Sequence, residues 1–597
     1  MFARGIQTRY ARLLAAICGF CAAIAAPYLV PIDTESFVMR GGVFTACLIL
    51  LSVFLMPPLF RCHPLRKWLI SAKTAFAFAL ALSVGTELYT YNAFLPGAGS
   101  AIRRLLIPVM ATPLFSAILL RVSDISLSDK ADTPARWEFP VYSACLFLCW
   151  LPVLLAYWPG MLNYDFQTEY MQYIDGTYSL IHPLTHSALM IGVISLGEMI
   201  AGRTFGLLLM SLLQMTTLSL VLADACIYLR RRGLGRITIL PLLLFFGLHP
   251  VFSVMSVSMT KDTLFAASMV GLCIKSMELL QAPETFLRRK SNIVLFIVFV
   301  CGTALMRVNG LLALVPMLIA LFLRIRHEQR MAFCRLAGMS LGAALLIHLS
   351  LLFTLHPVSM PTFQIYSLPA QQLVRAYNMG RLSPEDKAEL ESWYVAPEGL
   401  ELHPHLADPA KGYLDRDRLE ESGRDFLHLW LRAAPKAGKE YLEAFLMLNI
   451  GSWYPDDLSH STIYPDVSYN EKGYLQTQEY ELQTLGFETT SLLLALRKTL
   501  EQICRYNRYQ KYPILPILFS TAIPVWIIAA GLCIRRLKGI SLSYAPATAS
   551  IALFISYLFG PCTLPRYMMP LFILGIFFFL LALTGTGIPA KSDHHSF

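Results

Sequence analysis

Ile237–Val254 reads ITILPLLLFFGLHPVFSV and follows Arg230, Arg231 and Arg232. A helix of about 20 mainly apolar residues crosses a hydrocarbon core about 30 Å thick. Basic residues gather in the cytoplasmic loops beside such spans. This one run therefore reads as a span that starts at a cytoplasmic stop. Similar runs recur along most of the chain, Pro513–Ile534 among them. Of the 597 residues, 56% are hydrophobic and 15% charged, whereas soluble globular proteins carry about 25% charged residues. The composition excludes a soluble enzyme and predicts a polytopic integral membrane protein.

Apolar runs and basic flanks together predict an all-α membrane bundle of about fourteen transmembrane helices, with both termini in the cytoplasm. The spans fall near 13–31, 42–60, 74–92, 105–121, 139–158, 204–228, 237–254, 263–280, 292–307, 310–324, 333–355, 513–534, 541–562 and 567–586. The first follows Arg4, Arg9 and Arg12 like a signal anchor and has no convincing cleavage site. Thr185–Ile200 is also apolar, yet a crossing there would put Arg230–Arg232 outside. It is read instead as a helix lying at the outer interface, with Glu198 near its end. Arg103 and Arg104 fall on the nominal outside, against the charge rule.

Four regions follow: a four-helix part over 1–138, a core over 139–355 with a first external loop at 159–203, an extracytoplasmic loop domain over 356–512, and three closing spans over 513–597. The loop domain is expected to be mixed and mainly helical. Helical patterns occupy Pro384–Trp393, Arg418–Leu431 and Leu485–Ile503, and turn-rich stretches occupy Pro404–Gly412 and Trp453–Asn470. The net charge of +10 divides unevenly. The loop domain holds 16 Lys/Arg against 22 Asp/Glu, and the rest of the chain holds 33 against 17. Short basic clusters between spans indicate topology rather than nucleic-acid binding. Of 13 Cys only Cys504 lies in the loop domain, and no paired CxxC supports zinc or a disulfide framework. No phosphate-binding glycine loop is present, so cytoplasmic nucleotide hydrolysis is unsupported.

The stretch Tyr157-Trp158-Pro159-Gly160-Met161-Leu162-Asn163-Tyr164-Asp165-Phe166-Gln167 ends a span in aromatics, turns, and presents an acid just beyond the membrane. Asp165 can accept a proton from an incoming hydroxyl or orient it, or it can cap the next helix. Glu169 lies one helical turn on. His182 and His186 have i,i+4 spacing without a third metal ligand nearby. His182 reads as a turn residue near an acceptor and His186 as structural. Lys261, Arg307 and Arg566 each fall at the external end of a span, where a charge beside hydrocarbon points to function or snorkels to lipid phosphate. As cations they suit a phosphate. Gln371, Gln372 and Arg375 suit a sugar pocket or a solvated helix face. Trp453, Tyr454, Asp456 and Asp457 look like a site wall that stacks on a sugar and hydrogen-bonds it.

The external Asp, the His-Pro and the interfacial helix resemble the first external loop of type C membrane glycosyltransferases, in an order similar to protein O-mannosyltransferases. A closer likeness is to an uncharacterised bacterial family in that superfamily. It rests on Tyr157–Asp165, Thr260-Lys261-Asp262, Arg307-Val308-Asn309-Gly310, Leu368-Pro369-Ala370-Gln371-Gln372 with Arg375, Trp453-Tyr454-Pro455, and Arg566-Tyr567 with Pro570. Residues 1–138 lie outside it. The resemblance implies a sugar donor linked to a polyprenyl phosphate in the bacterial inner membrane, with a cell-envelope glycan, lipid or protein as acceptor. Asp165 is then the base, Glu169 or Asp175 a second acid, and Lys261, Arg307 and Arg566 the holders of the donor phosphate. His182, Asn309, Gln371, Gln372, Arg375, Trp453, Tyr454, Asp456, Asp457 and Tyr567 would bind substrate. Metal dependence varies in the superfamily, which leaves room for a divalent cation without assigning ligands. The competing expectation is a transporter or flippase of a lipid-linked saccharide, which would carry paired broken spans and midplane charges.

Overall fold

The structure is a computed structural model that describes residues 2–29, 63–127, 133–360, 362–456, 486–487, 489–504, 515–540 and 544–584. Its main elements are α1 (Phe2–Ala25), α2 (Leu65–Tyr91), α3 (Ala98–Ser123), α4 (Glu138–Ala156), α5 (Tyr164–Asp175), α6 (Leu184–Ala201), α7 (Arg203–Arg231), α8 (Arg236–Leu248), α9 (Lys261–Gln281) and α10 (Lys290–Leu305). There follow α11 (Val308–Arg324), α12 (Arg330–Leu355), α13 (Ser367–Asn378), α14 (Pro384–Glu391), α15 (Arg416–Leu448), α16 (Leu494–Cys504), α17 (Ile523–Leu537), α18 (Tyr544–Tyr557) and α19 (Pro565–Leu583). Among the described residues there is no strand, only isolated bridges.

Among the described residues, eight helices are long and apolar enough to cross a membrane, or nine if the pair Arg236–Leu248 and Pro250–Val257, bent by 56°, forms one span. Leu13–Ala25, Lys290–Leu305, Val308–Arg324 and Ala545–Tyr557 are shorter apolar helices. The run at 42–60 lies outside the described residues. The run that opened the sequence reading is thus broken in its middle. Its break falls at His249-Pro250: Pro250 begins a new helix, and the His249 ring caps it by accepting from the Val251 amide at 3.2 Å. A proline suits the first position of a helix, where its missing N–H has no partner to lose.

The helices alternate between two ends. At one, Glu138 at the start of α4 bonds Arg230 at the end of α7 (2.9 Å) and Arg236 at the start of α8 (3.0 Å). At the other, Ser211 Oγ of α7 donates to the Pro159 carbonyl at 3.1 Å, and Gln214 Nε2 donates to that of Ser258 at 3.0 Å. The central α9 runs between these ends, packed on α7, α10 and α19. Lipid tails are as apolar as these side chains, so in a bilayer close van der Waals packing and interhelical hydrogen bonds hold such a bundle together.

The helix α6 starts at the second end, where His186 and Ser187 bond Glu169 of α5. It turns at Gly202 and returns along α7, whose Ser211 and Gln214 already lie at that end. Gly197 and Gly206 let the two backbones touch, since a Cβ on Gly206 would collide with the Ile194 backbone. Although α6 is long and apolar enough to cross, both its ends are on one side of the bundle.

The segment after α12 forms a helical domain at that same end. Its core holds Tyr366, Leu373, Trp393, Phe426 and Leu429. The expected helix at Arg418–Leu431 is part of the longer α15, kinked at Ser422 and Ala437; among the described residues of the expected Leu485–Ile503, only those from Leu494 on are helical, as α16. The domain rests on the turn between α18 and α19, where Ala407 N donates to Pro561 O at 2.9 Å and Asn449 Nδ2 to Leu558 O at 2.9 Å. It is also tied to the α2–α3 turn. Arg375 Nη1 donates to Asn92 Oδ1 at 3.2 Å, and Glu443 accepts from the Phe94 amide at 2.6 Å. Arg104, which runs against the charge rule in sequence, is answered locally by Glu87 at 3.0 Å.

Candidate functional site

The cluster begins with how the chain is held before α5. Met161 N donates to Val257 O at 2.8 Å and Met259 N returns to Met161 O at 2.9 Å, so the 157–163 and 257–260 segments pair. Asn163 then caps α5, its Oδ1 accepting from the Phe166 amide at 2.9 Å while its Nδ2 donates to Ser258 Oγ at 3.1 Å. The capping role therefore belongs to Asn163. Asp165 is left free to point its carboxylate away from the helix start.

That carboxylate is buried between two cations. Asp165 Oδ2 lies 2.8 Å from Lys261 Nζ and 2.9 Å from Arg566 Nη1. Arg566 Nε is also 3.6 Å from Asp262 Oδ2, and Asp262 Oδ1 takes Arg307 Nη1. Arg307 stacks over the Tyr567 ring at 4.3 Å from its centre. Asn309 follows at the start of α11, its Nδ2 donating to Ser556 Oγ at 2.9 Å. Burial alone would push the Asp165 carboxyl up, but Arg566 and then Lys261 outweigh it and hold it well below the usual carboxylate range.

A second layer lies behind Lys261. Its Nζ is 3.4 Å from His182 Nδ1, and that nitrogen is 3.6 Å from Glu169 Oε1. Glu169 Oε2 accepts from His186 Nδ1 at 2.8 Å and from Ser187 Oγ at 2.7 Å, all three residues being fully or almost fully buried. Burial, then the Lys261 charge, pushes the His182 ring below its ordinary value, so it is neutral near pH 7. Of the two candidate second acids, Glu169 is inside the cluster and Asp175 is exposed at the end of α5.

Lys261 opens α9, Arg307 precedes α11 and Arg566 is the second residue of α19. Each sits where the helix dipole and the unpaired amides of the first turn already favour an anion. Cations there are opposed by the dipole, and Asp165 and Asp262 offset them. An incoming phosphate would meet three cations and three helix starts at once.

Asp262 is the partner that sequence reading did not assign. Its signal was position alone, next to Lys261 and behind Thr260, whose Oγ1 caps α9. Gln371, Gln372 and Arg375 have their polar contacts elsewhere. Gln371 Nε2 donates to His403 O at 2.7 Å, Gln372 Nε2 to Tyr441 O at 3.0 Å, and Arg375 pairs with Glu443 at 3.0 Å. Trp453 and Tyr454 pack inward against α2 and α17: Trp453 O accepts from Trp526 Nε1 at 2.8 Å, Tyr454 OH lies 3.1 Å from Thr86 Oγ1, and Gly85 leaves the room its ring needs. Asp456 is buried after them, and Asp457 lies outside the described residues. A divalent cation finds no group of three His, Cys, Asp or Glu placed to hold it among the described residues. Asp165 and Asp262 are covered by cations instead.

Fold and cluster define an all-α protein of bilayer-suited helices with a buried, balanced set of charges at one end. The chain belongs to a family of unknown function, DUF6020, whose model matches residues 170–594. No curated protein and no solved structure matches it.

Proposed function

We propose that the chain is a bacterial inner-membrane glycosyltransferase, moving a sugar from a polyprenyl-phosphate donor to an acceptor on the extracytoplasmic face. The observation that carries this reading is the meeting of Lys261, Arg307 and Arg566 at three helix starts around Asp165 and Asp262. The opposite end, with Arg230, Arg231, Arg324, Arg535 and Arg536 in the last turns of helices, is then cytoplasmic.

In this reading the bare site is self-neutralised and Asp165 is a poor base, because Lys261 and Arg566 hold its charge. A donor phosphate takes over those cations and releases the carboxylate. Asp165 then accepts the proton of the acceptor hydroxyl as that oxygen attacks the anomeric carbon. The bond from that carbon to the phosphate oxygen breaks, and the electron pair leaves with the phosphate, held by Arg307, Arg566 and Lys261. Substrate binding thereby makes the base it needs.

The test is sugar transfer from polyprenyl-phosphate donors in membranes carrying wild type or Asp165→Asn at matched expression. Loss of a positioned base lowers transfer by about 10²- to 10⁴-fold. Equal rates would remove Asp165 from catalysis. The transport reading draws on one observation, the broken pair bent at His249-Pro250. It predicts movement of an intact lipid-linked saccharide with no covalent product.

A further inference from the structure

We propose that the end of the bundle opposite Asp165 carries a binding site for an anionic, phosphate-headed lipid of the adjoining leaflet. A cavity of about 510 Å³ opens there between α2, α17 and α18. Arg66, Lys73, Arg535 and Arg536 line it, together with apolar side chains, and no carboxylate does. Arg66, Lys73 and Arg536 are exposed, while Arg535 is buried and donates to the Leu581 carbonyl at 3.2 Å. The general excess of cations at this end accounts for their sign. It does not account for a cavity between them.

An apolar space adjoins this cavity. A second, apolar slot of about 210 Å³ shares Thr74 with the first and runs between α2, α3 and α17, past Phe78, Phe115 and Trp526. From Arg66 to Phe78 the rise along α2 is about 18 Å at 1.5 Å per residue. That matches the depth of one leaflet, about half of a 30 Å hydrocarbon core. A charged mouth at the interface and an apolar furrow one leaflet deep fit a single amphiphile, its phosphate among the four cations and a hydrocarbon chain in the slot. A soluble anion would leave the furrow unused, and a neutral lipid would leave the cations unanswered. The site is independent of sugar transfer and of which face is cytoplasmic.

The full chain purified in mild detergent would be exchanged with phosphatidylglycerol, phosphatidylcholine or diacylglycerol, and retained lipid read by native mass spectrometry. Wild type is expected to retain phosphatidylglycerol on the order of tenfold better than phosphatidylcholine, with inorganic phosphate unable to displace it. Two variants probe the halves separately: Arg66→Ala/Lys73→Ala/Arg536→Ala removes exposed charge, and Ala530→Phe fills the slot. Both are expected to abolish the preference while eluting and giving helical circular dichroism as wild type does. A preference that survives Ala530→Phe would mean a scattered basic surface and overturn the proposal. So would equal retention of the two phospholipids by wild type, or displacement by inorganic phosphate alone.

Discussion

The two ends of the bundle use the same residue types under opposite rules. At the Arg230 end, Arg121, Arg231, Arg324 and Arg536 stand exposed in the last turns of their helices, where the dipole favours a cation. Each is favoured by its own helix end, and Arg231 also lies 3.1 Å from Glu278. At the Asp165 end, Lys261, Arg307 and Arg566 stand at helix starts, against the dipole, half-buried or buried. They persist there because acids are delivered to them, Asp165 from 401 residues away in the case of Arg566. Apart from the buried Arg230 on Glu138 and Arg535 on the Leu581 carbonyl, the first end holds charges that could be moved singly. The other holds charges that stand or fall together.

The comparison breaks first where that dependence is greatest. Arg566→Met leaves Asp165 with one cation and Asp262 with one, and removing a partner from a buried pair costs about 3–5 kcal/mol. Arg121→Met at the opposite end should cost less than about 0.5 kcal/mol. Thermal unfolding of both in the same detergent gives the contrast, and equal losses would sink it.

Acid sharpens the same contrast. The Asp165 pairing is present above the unfolded carboxyl value of about 4 and is lost only as pH falls through the depressed folded value. The difference in midpoint between wild type and Asp165→Asn should therefore stay constant from pH 8 to pH 5. A gap that closes by pH 5 would mean that Arg566 and Lys261 do not hold the carboxylate charged.

The smallest effect concerns how Asp165 is aimed. Asn163→Ala removes the cap of α5 and should cost about 0.5–2 kcal/mol while lowering transfer further than stability alone explains. Unchanged transfer in the folded variant would separate the cap from the site.

The apolar runs made most helices legible, as did the basic last turns that end α7 and α17. The interfacial reading of α6 rested on Arg230–Arg232 alone, and that helix is itself long and apolar enough to cross. Lys261, Arg307 and Arg566 could be singled out because a cation at the edge of an apolar run is rare whatever surrounds it. What no run discloses is pairing: nothing near Arg566 announces Asp165, and Asp262 reads as an ordinary first-turn acid. The break at His249-Pro250 was hidden because apolar helices of this chain also carry internal prolines, such as Pro152 and Pro316, so a proline alone marks no helix start. Trp453 and Tyr454 resembled a wall because aromatics beside acids look alike facing a ligand or a core. Only Gly85, 369 positions earlier by number, reveals which, since its missing side chain is what the Tyr454 ring occupies.

That contact, together with Arg375 on Asn92, bears on where the protein can be cut. Likeness to the family begins at residue 170, yet α2 and α3 lie wholly before it and grip the helical domain from outside. A fragment starting at 170 would discard Asp165, leave the Arg375–Glu443 pair without Asn92, and bare the face on which Tyr454 rests. The stretch that sequence comparison marks out is thus not a module of the molecule, and the helices ahead of it are part of the same machine.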